Sequence, residues 1–501
     1  MNLFRTKRVD DLQADAEHSH GLKRSLGALD LTLLGVGAII GTGIFVLTGL
    51  AAANNAGPAV VLSFVIAGVA SAFAALCYSE MASMLPIAGS AYTSSYATMG
   101  EMVAWIIGWD LILEYLVGAA TVSVGWSGYF TAFLHRVGID LPAAWTTSPL
   151  IWYEAGKKLP TGVVSTGEFF HPEGAVVNLP AVFITLAATA LLVRGTKESA
   201  QFNAIIVYVK VAVVLTFIAF VGPHVNPANW SPFIPEPLVD PTTGEAVFGK
   251  FGVSGVFQGA TTVFFAYVGF DAVSTAAQES KNPQRDLPIG ILASLAVCTV
   301  LYILVAAVLT GVVPYNELNV PHPVAYGAER AGLAWLEVLI EIGAIAGLSS
   351  VMLVMLMGQP RIFFSMARDG LLPRWAAAVH PKYGTPHVTT IITGSICALA
   401  GGVLPIDILG ELCSIGTLFA FVLVSLGVMI LRIQRPDLQR RFKVPGGTYL
   451  VPLFGALTSL GLMYTATNAT IIRLFVWMAL GLVIYFVYGR HHSLLNKPEQ
   501  A

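Results

Sequence analysis

Apolar residues along this chain gather into long runs separated by short polar stretches. A run of about 20 apolar residues is the length that carries an α-helix across the hydrocarbon of a bilayer. Twelve such runs are present, at 29–53, 58–85, 100–133, 179–193, 202–222, 253–279, 287–313, 335–366, 386–404, 406–431, 449–467 and 470–489. The pattern predicts an all-α integral membrane protein of twelve transmembrane helices, the longer ones tilted or extended past the bilayer.

Two runs are interrupted at their centres. The first contains GAIIGTGIF, Gly37 to Phe45, in which glycine occupies three of nine positions. The sixth contains FFAYVGFD, Phe264 to Asp271, with Gly269 and a carboxylate inside apolar sequence. Glycine weakens a helix, and lipid cannot satisfy the backbone groups that a loosened helix exposes. Interrupted spans at corresponding places in two halves of a chain point to a transporter binding site. The half-helix beyond a break offers free N–H groups and a positive dipole end, suited to a carboxylate, and the freed carbonyls suit an ammonium. An amino acid zwitterion carries one group of each kind. Alternatively, Gly37, Gly41 and Gly43 are a small-residue packing face; the second break, five spans later, favours a site.

Charge sets the orientation. With the N-terminus inside, the cytoplasmic segments hold 20 Lys and Arg and the outer segments 6. The positive-inside rule then places both termini in the cytoplasm. The outer loops at 134–178 and 223–252 are long enough to cap an external vestibule and too short for a catalytic domain.

Composition agrees with a membrane location: 55% of residues are hydrophobic and 11% charged, against about 25% charged in soluble chains. A net charge of −2 gives no global basic field for nucleic acid. Cys77, Cys298, Cys397 and Cys413 lie in apolar runs without metal-binding spacing. No cleavable signal peptide is recognised, so the first run is read as a retained span. No phosphate loop, metalloprotease or hydrolase motif is found, and neither metal nor cofactor is expected.

Together, GAIIGTGIF, FFAYVGFDAVSTAAQE, KNPQRDLPIGI and RIFFSMARDGLLP resemble the amino acid–polyamine–organocation superfamily, and within it the cationic amino acid transporter family in its bacterial twelve-span form. The resemblance runs from about Gly27 to Gly489. It implies a LeuT-type fold: two inverted five-helix repeats, 29–222 and 253–431, with helices 1 and 6 discontinuous, then two extra helices at 449–489. Cytoplasmic tails at 1–28 and 490–501 complete the chain. Alternating access would move one mid-membrane site between the two faces.

By the same resemblance, a substrate carboxylate would meet the backbone of Thr42 and Gly43, beside Ile39, Ile40 and Gly41. The substrate ammonium would meet carbonyls around Phe265, Ala266 and Val268, with an aromatic of this segment as a thin lid or simply as packing. Gly43→Val is expected to abolish binding in a folded protein. Lys210, in the middle of the fifth apolar run, is costly there unless it has a partner. The family places such a lysine where related transporters hold sodium, bonded here to carbonyls near Gly35 to Ala38. Two roles stay open, a proton-coupling residue and a permanently charged stand-in for sodium; simple snorkelling fits poorly so far from a span end.

Glu114, on the same helical face as Asp110, either lines the substrate path or seals helix packing. Glu80, Glu279 and Glu341 lie near span ends and read as gating or interface ion pairs. Asp271 either lies on the path or caps the second half of helix six. Met355, on the eighth span, would shorten the pocket and favour small neutral L-amino acids such as alanine; core packing is the other reading. The expectation is a proton-coupled, sodium-independent amino acid transporter of the cell membrane, not an enzyme. The alternatives are a cationic amino acid transporter or exchanger without proton coupling and, on shorter tails than signalling needs, a sensor. A channel would need polar rings or a repeated filter, and neither is found. A small membrane subunit stays open.

Overall fold

The computed structural model describes residues 5–7, 26–84, 90–153, 168–170, 174–195, 200–240, 243–436 and 440–496. Basic residues counted above at Arg8, Lys23, Arg24, Lys157, Lys158, Lys197 and Lys497 lie outside these.

Among the described residues, eight helices are long and apolar enough to cross a membrane, and four shorter apolar helices accompany them. The first run is two half-helices. α1 (Ala28–Ile39) starts after Gly27 and ends at a break. Beyond it come a π turn (Gly43–Leu47), α2 (Thr48–Ala51) and a second π turn (Ala52–Ala56). Gly57, at φ +62°, then turns the chain into α3 (Val60–Met84); a Cβ on it would lie 2.5 Å from Pro235, so glycine is required twice. α4 (Ser90–Thr98) and α5 (Glu101–Arg136) follow.

A three-residue antiparallel ribbon, β1 (Ile151–Tyr153) with β2 (Glu168–Phe170), lies in the next loop, and single β-bridges join Leu26 to Ser280 and Val239 to Ala246. Asn178 caps α6 (Leu179–Arg194), accepting from the Ala181 amide at 3.3 Å and from Ser127 Oγ at 2.6 Å. Next are α7 (Ala200–Val221) and α8 (Gly252–Val263), then a second break and the short α9 (Ala272–Thr275).

α10 (Pro283–Val312) opens with proline, which the first turn of a helix tolerates. α11 (Pro323–Arg330) leads to α12 (Ala334–Arg368). The remainder comprises α13 (His387–Val403), α14 (Ile406–Gln434), α15 (Leu450–Thr465), α16 (Asn468–Ile484) and α17 (Arg490–His492).

The helices are layered around α5, which packs along α12 and α14, while α10 packs along α3 and α1. α5 is buried along most of its length, whereas α7 and α16 are largely exposed. Their exposed side chains are apolar, as at Ile205, Phe220, Phe475 and Val476. A water-facing surface of that kind would aggregate; facing lipid it is stable. The chain ends meet on one face, where Arg5 Nη1 donates to Leu495 O at 2.7 Å. This is called the terminal face below.

Candidate functional site

A helix end leaves its last four carbonyls and first four amides without partners inside the helix. α1 ends this way in the interior. Ile40 is extended (φ −72°, ψ 99°), Gly41 bends, and helical geometry resumes at Thr42. Distant side chains reach two of the carbonyls this frees. Lys210 Nζ donates to Gly37 O at 2.8 Å, and the Tyr302 hydroxyl lies 2.8 Å from Ile39 O. A cation there also meets the negative end of the helix dipole.

The second break lies against the first. α8 passes into a 3-10 turn, Phe264–Tyr267, then extended Val268 (φ −61°, ψ 133°) and Gly269 at φ +114°. A Cβ on Gly269 would sit 3.0 Å from Ala38 O, and one on Gly43 only 2.2 Å from the Ala266 Cα. Gly43 is therefore a packing glycine as well as part of the break. This corrects the expectation for Gly43→Val: the substitution would push the two breaks apart instead of only blocking a ligand.

Tyr302, from α10, spans the junction. Its hydroxyl lies 2.9 Å from Ala266 O as well as 2.8 Å from Ile39 O. A phenol has one hydrogen to donate, so one carbonyl from each break shares it. The ring is held edge-on to Tyr267, whose hydroxyl donates to Phe64 O at 2.8 Å.

Ile39, Ile40, Gly41, Thr42 and Gly43 thus form the first break, and Phe265, Ala266 and Val268 the second; all are buried. Among the described residues Thr42 Oγ1 has no hydrogen-bond partner, and the Thr42 side chain rests on Gly125 of α5. Phe264 packs edge-on against Phe421 of α14, the contact that the packing alternative expects. The side chain over Gly41 is Val351, 3.3 Å from where its Cβ would be. Met355 sits one turn further along α12, beside Gly118 and near Cys413. Val351 therefore lies against Gly41, and Met355 lies against Gly118 of α5, where shortening the pocket and core packing both stand as its readings.

Lys210 is fully buried. Its stem lies on Gly347 of α12, where a Cβ would come 3.1 Å from Lys210 Cε. Among the described residues its ammonium, with three hydrogens, has the one acceptor at Gly37.

Towards the terminal face lie Asp110, Glu114 and Asp271, all buried. Among the described residues, both oxygens of Asp110, Glu114 Oε1 and Asp271 Oδ2 have no hydrogen-bond partner. Thr417 is beside Glu114, and Tyr115 beside Asp271. Asp271 sits at the position before α9 in helical backbone geometry, with the backbone of Gly269, Asp271 and Ala272 around its carboxylate, and its two readings, on the path or as a cap, both stand.

A family model described as amino acid permease matches residues 26–491. The chain belongs to the amino acid permease family, within the amino acid–polyamine–organocation superfamily. The permease is 49% identical over 500 residues to a branched-chain amino acid permease of Bacillus subtilis (strain 168), covering 99% of each chain. It is 45% identical over 496 residues to a methylthioribose transporter of the same organism, covering 99% of this chain and 100% of that one. To the vacuolar cationic amino acid transporter 4 of Arabidopsis thaliana it is 38% identical over 439 residues, 87% of this chain and 68% of the other.

The permease closes both sides of the breaks with polar contacts. On the side away from the termini, Tyr129 donates to Phe45 O at 2.7 Å and Trp126 Nε1 to Ser349 Oγ at 3.0 Å. Above them Arg136 of α5 pairs with Glu337 and with Glu341 of α12. Burial first, and then Arg136, pushes His322 down to about 4, so it packs edge-on against Tyr129 as a neutral ring at pH 7.

On the terminal face, Asp369 takes hydrogen bonds from Tyr92 at 2.7 Å and Lys7 at 3.3 Å. Glu80 of α3 pairs with Arg432 of α14 and with Arg440, and accepts from the Val444 amide at 2.8 Å. Glu80 and Glu341 thus sit in ion pairs near span ends; among the described residues no ion pair is described for Glu279.

Tyr302 and Val351 escaped sequence reasoning. A tyrosine or valine inside an apolar run is commonplace, and only packing shows which one meets a broken helix.

Proposed function

We propose that the permease moves neutral, apolar L-amino acids by alternating access, with the zwitterion held between the two breaks. One observation supports this most: the breaks abut at Gly43 and Ala266, with helix-start amides at Thr42 and Gly43 and the carbonyls of Ile39 and Ala266 sharing a single hydroxyl donor. Amides of that kind suit a carboxylate, and a carbonyl pair short of donors suits an ammonium. Val351, Met355 and Phe265 would give the side chain an apolar bed. The branched-chain relative favours aliphatic substrates somewhat larger than alanine.

In this reading the shorter apolar helices α1, α6, α13 and α15 complete twelve spans, arranged as inverted repeats at 29–222 and 253–431 with two further helices at 449–489. Both termini are cytoplasmic, in the cell membrane. Lys210 couples transport to protons: it bonds the first break in one conformation and loses its proton in another, with no sodium required. Glu114 and Asp271 lie on the cytoplasmic side of the path.

A second reading, a cationic amino acid exchanger, draws on the unpartnered oxygens of Asp110, Glu114 and Asp271 and on the cationic relatives.

Binding to the purified permease separates these readings. L-Leucine and L-alanine should bind, while leucine methyl ester and 4-methyl-2-oxopentanoate, each lacking one charge of the zwitterion, should bind at least tenfold more weakly, a loss of about 1.4 kcal/mol or more. Preference for L-arginine would support the second reading. Binding of methylthioribose but of no amino acid would overturn both.

A further inference from the structure

The start of α10 forms one wall of a cavity of about 1010 Å³ on the terminal face. Lys281 and Arg285 line it from the beginning of α10, Arg441 and Phe442 line it from the segment leading to α15, and Ile289 and Leu292 line it further along α10. Three other basic residues on this face are neutralised by acids, Lys7 by Asp369 and both Arg432 and Arg440 by Glu80. No ion pair or side-chain hydrogen bond is described for Lys281, Arg285 or Arg441 among the described residues. The nearest acid on α10, Asp286, is buried and accepts from the Asn282 amide at 3.2 Å, outside the cavity lining. The free amides and positive dipole end of a thirty-residue helix add to the attraction for an anion.

The cavity is polar at one end only. From Ile289, 40% exposed, an apolar stripe continues along α10 through Val297, Val300 and Leu304, which are also exposed. At 3.6 residues per turn these positions stay on one side of the helix, over a rise of about 22 Å. One bilayer leaflet offers roughly 15 Å of hydrocarbon. A pocket with cations at the membrane boundary and an apolar track leading into the bilayer matches a phospholipid, whereas a soluble anion would leave the track unused.

We propose that this cavity binds the anionic headgroup of a membrane phospholipid, its phosphate among Lys281, Arg285 and Arg441 and an acyl chain along the α10 stripe. The assignment needs the membrane location and the terminal face at the cytoplasmic boundary, and is independent of which substrate is carried. Basic pockets between helices on the cytoplasmic side recognise anionic lipids through the same chemistry.

The test is native mass spectrometry of the full-length permease in a neutral detergent, titrated with dioleoyl phosphatidylglycerol, dioleoyl phosphatidylcholine or inorganic phosphate. Phosphatidylglycerol should bind in preference to phosphatidylcholine. Replacing Lys281, Arg285 and Arg441 together by Gln should weaken it on the order of a hundredfold, about fivefold for each cation removed. Arg285→Lys with Arg441→Lys, which keeps the charge, should retain most of the binding and guards against a misfolded triple variant. Equal affinity for the two lipids, or unchanged phosphatidylglycerol binding in the Gln variant, would overturn the proposal. Inorganic phosphate binding as tightly as the lipid would also overturn it, leaving a simple anion site.

Discussion

Tyr302 has one hydrogen for two carbonyls, Ile39 O and Ala266 O, in a fully buried setting. Tyr302→Phe keeps the ring edge-on to Tyr267 and removes that donor. A buried acceptor left unsatisfied costs about 1–3 kcal/mol. The substrate-free permease should therefore melt at a lower temperature, and L-leucine should restore more stability in the variant than in the wild type, because its ammonium would supply what the phenol gave. Thermal melts with and without the amino acid read both effects. An unchanged melting temperature, or a smaller response to ligand, would remove Tyr302 from the site. The sequence marks Lys210 and conceals Tyr302 for a physical reason. A charge inside an apolar run is costly and conspicuous, while tyrosine is at home in membrane helices, and its hydroxyl finds carbonyls only once α10 is packed against α1.

At the level of whole elements, hydrophobic length is set by the bilayer and is read directly from the chain. The runs at 100–133, 386–404 and 406–431 become α5, α13 and α14 with ends shifted by a few residues. The breaks in the first and sixth runs are also legible, because glycine at φ +114° or at a backbone contact cannot be replaced cheaply. Helix rotation is not legible. Val351 and Met355 are one turn apart on α12, and the packing of α12 on α5 alone decides which of them covers Gly41. Nor is the role of Asp271 legible: it precedes an α9 of only four residues and already has helical geometry, so sequence position does not separate a cap from a place on the path. Element packing also predicts where the permease is fragile. Glu80 ties α3 to Arg432 on α14, with both side chains buried. Glu80→Gln should destabilise the protein by about 3–5 kcal/mol, because it leaves a buried guanidinium without its counter-charge. Guanidinium-free melts in detergent would check this, and a loss below about 1 kcal/mol would mean that the pair behaves as an exposed one.

Across the whole molecule, polar contacts lie on both sides of the two breaks, and the alternating access proposed above would require their release in turn. Arg136 with Glu337 and Glu341 closes one side; Asp369 with Tyr92 and Lys7 closes the other. Lys210 sits between them, joining α7 to the end of α1 while resting on α12. If a proton leaves Lys210 during the cycle, its charged bond to Gly37 is lost and the first break is free to move. The most direct measurement is uptake of labelled L-leucine and L-alanine into sodium-free proteoliposomes, with and without an inward proton gradient, for the wild type and Lys210→Ala. The account predicts accumulation driven by the gradient in the wild type and its loss in the variant, with binding of L-leucine still measurable. Uptake indifferent to the gradient, or driven equally well in the variant, would contradict it and leave Lys210 a structural tie between α7 and α1.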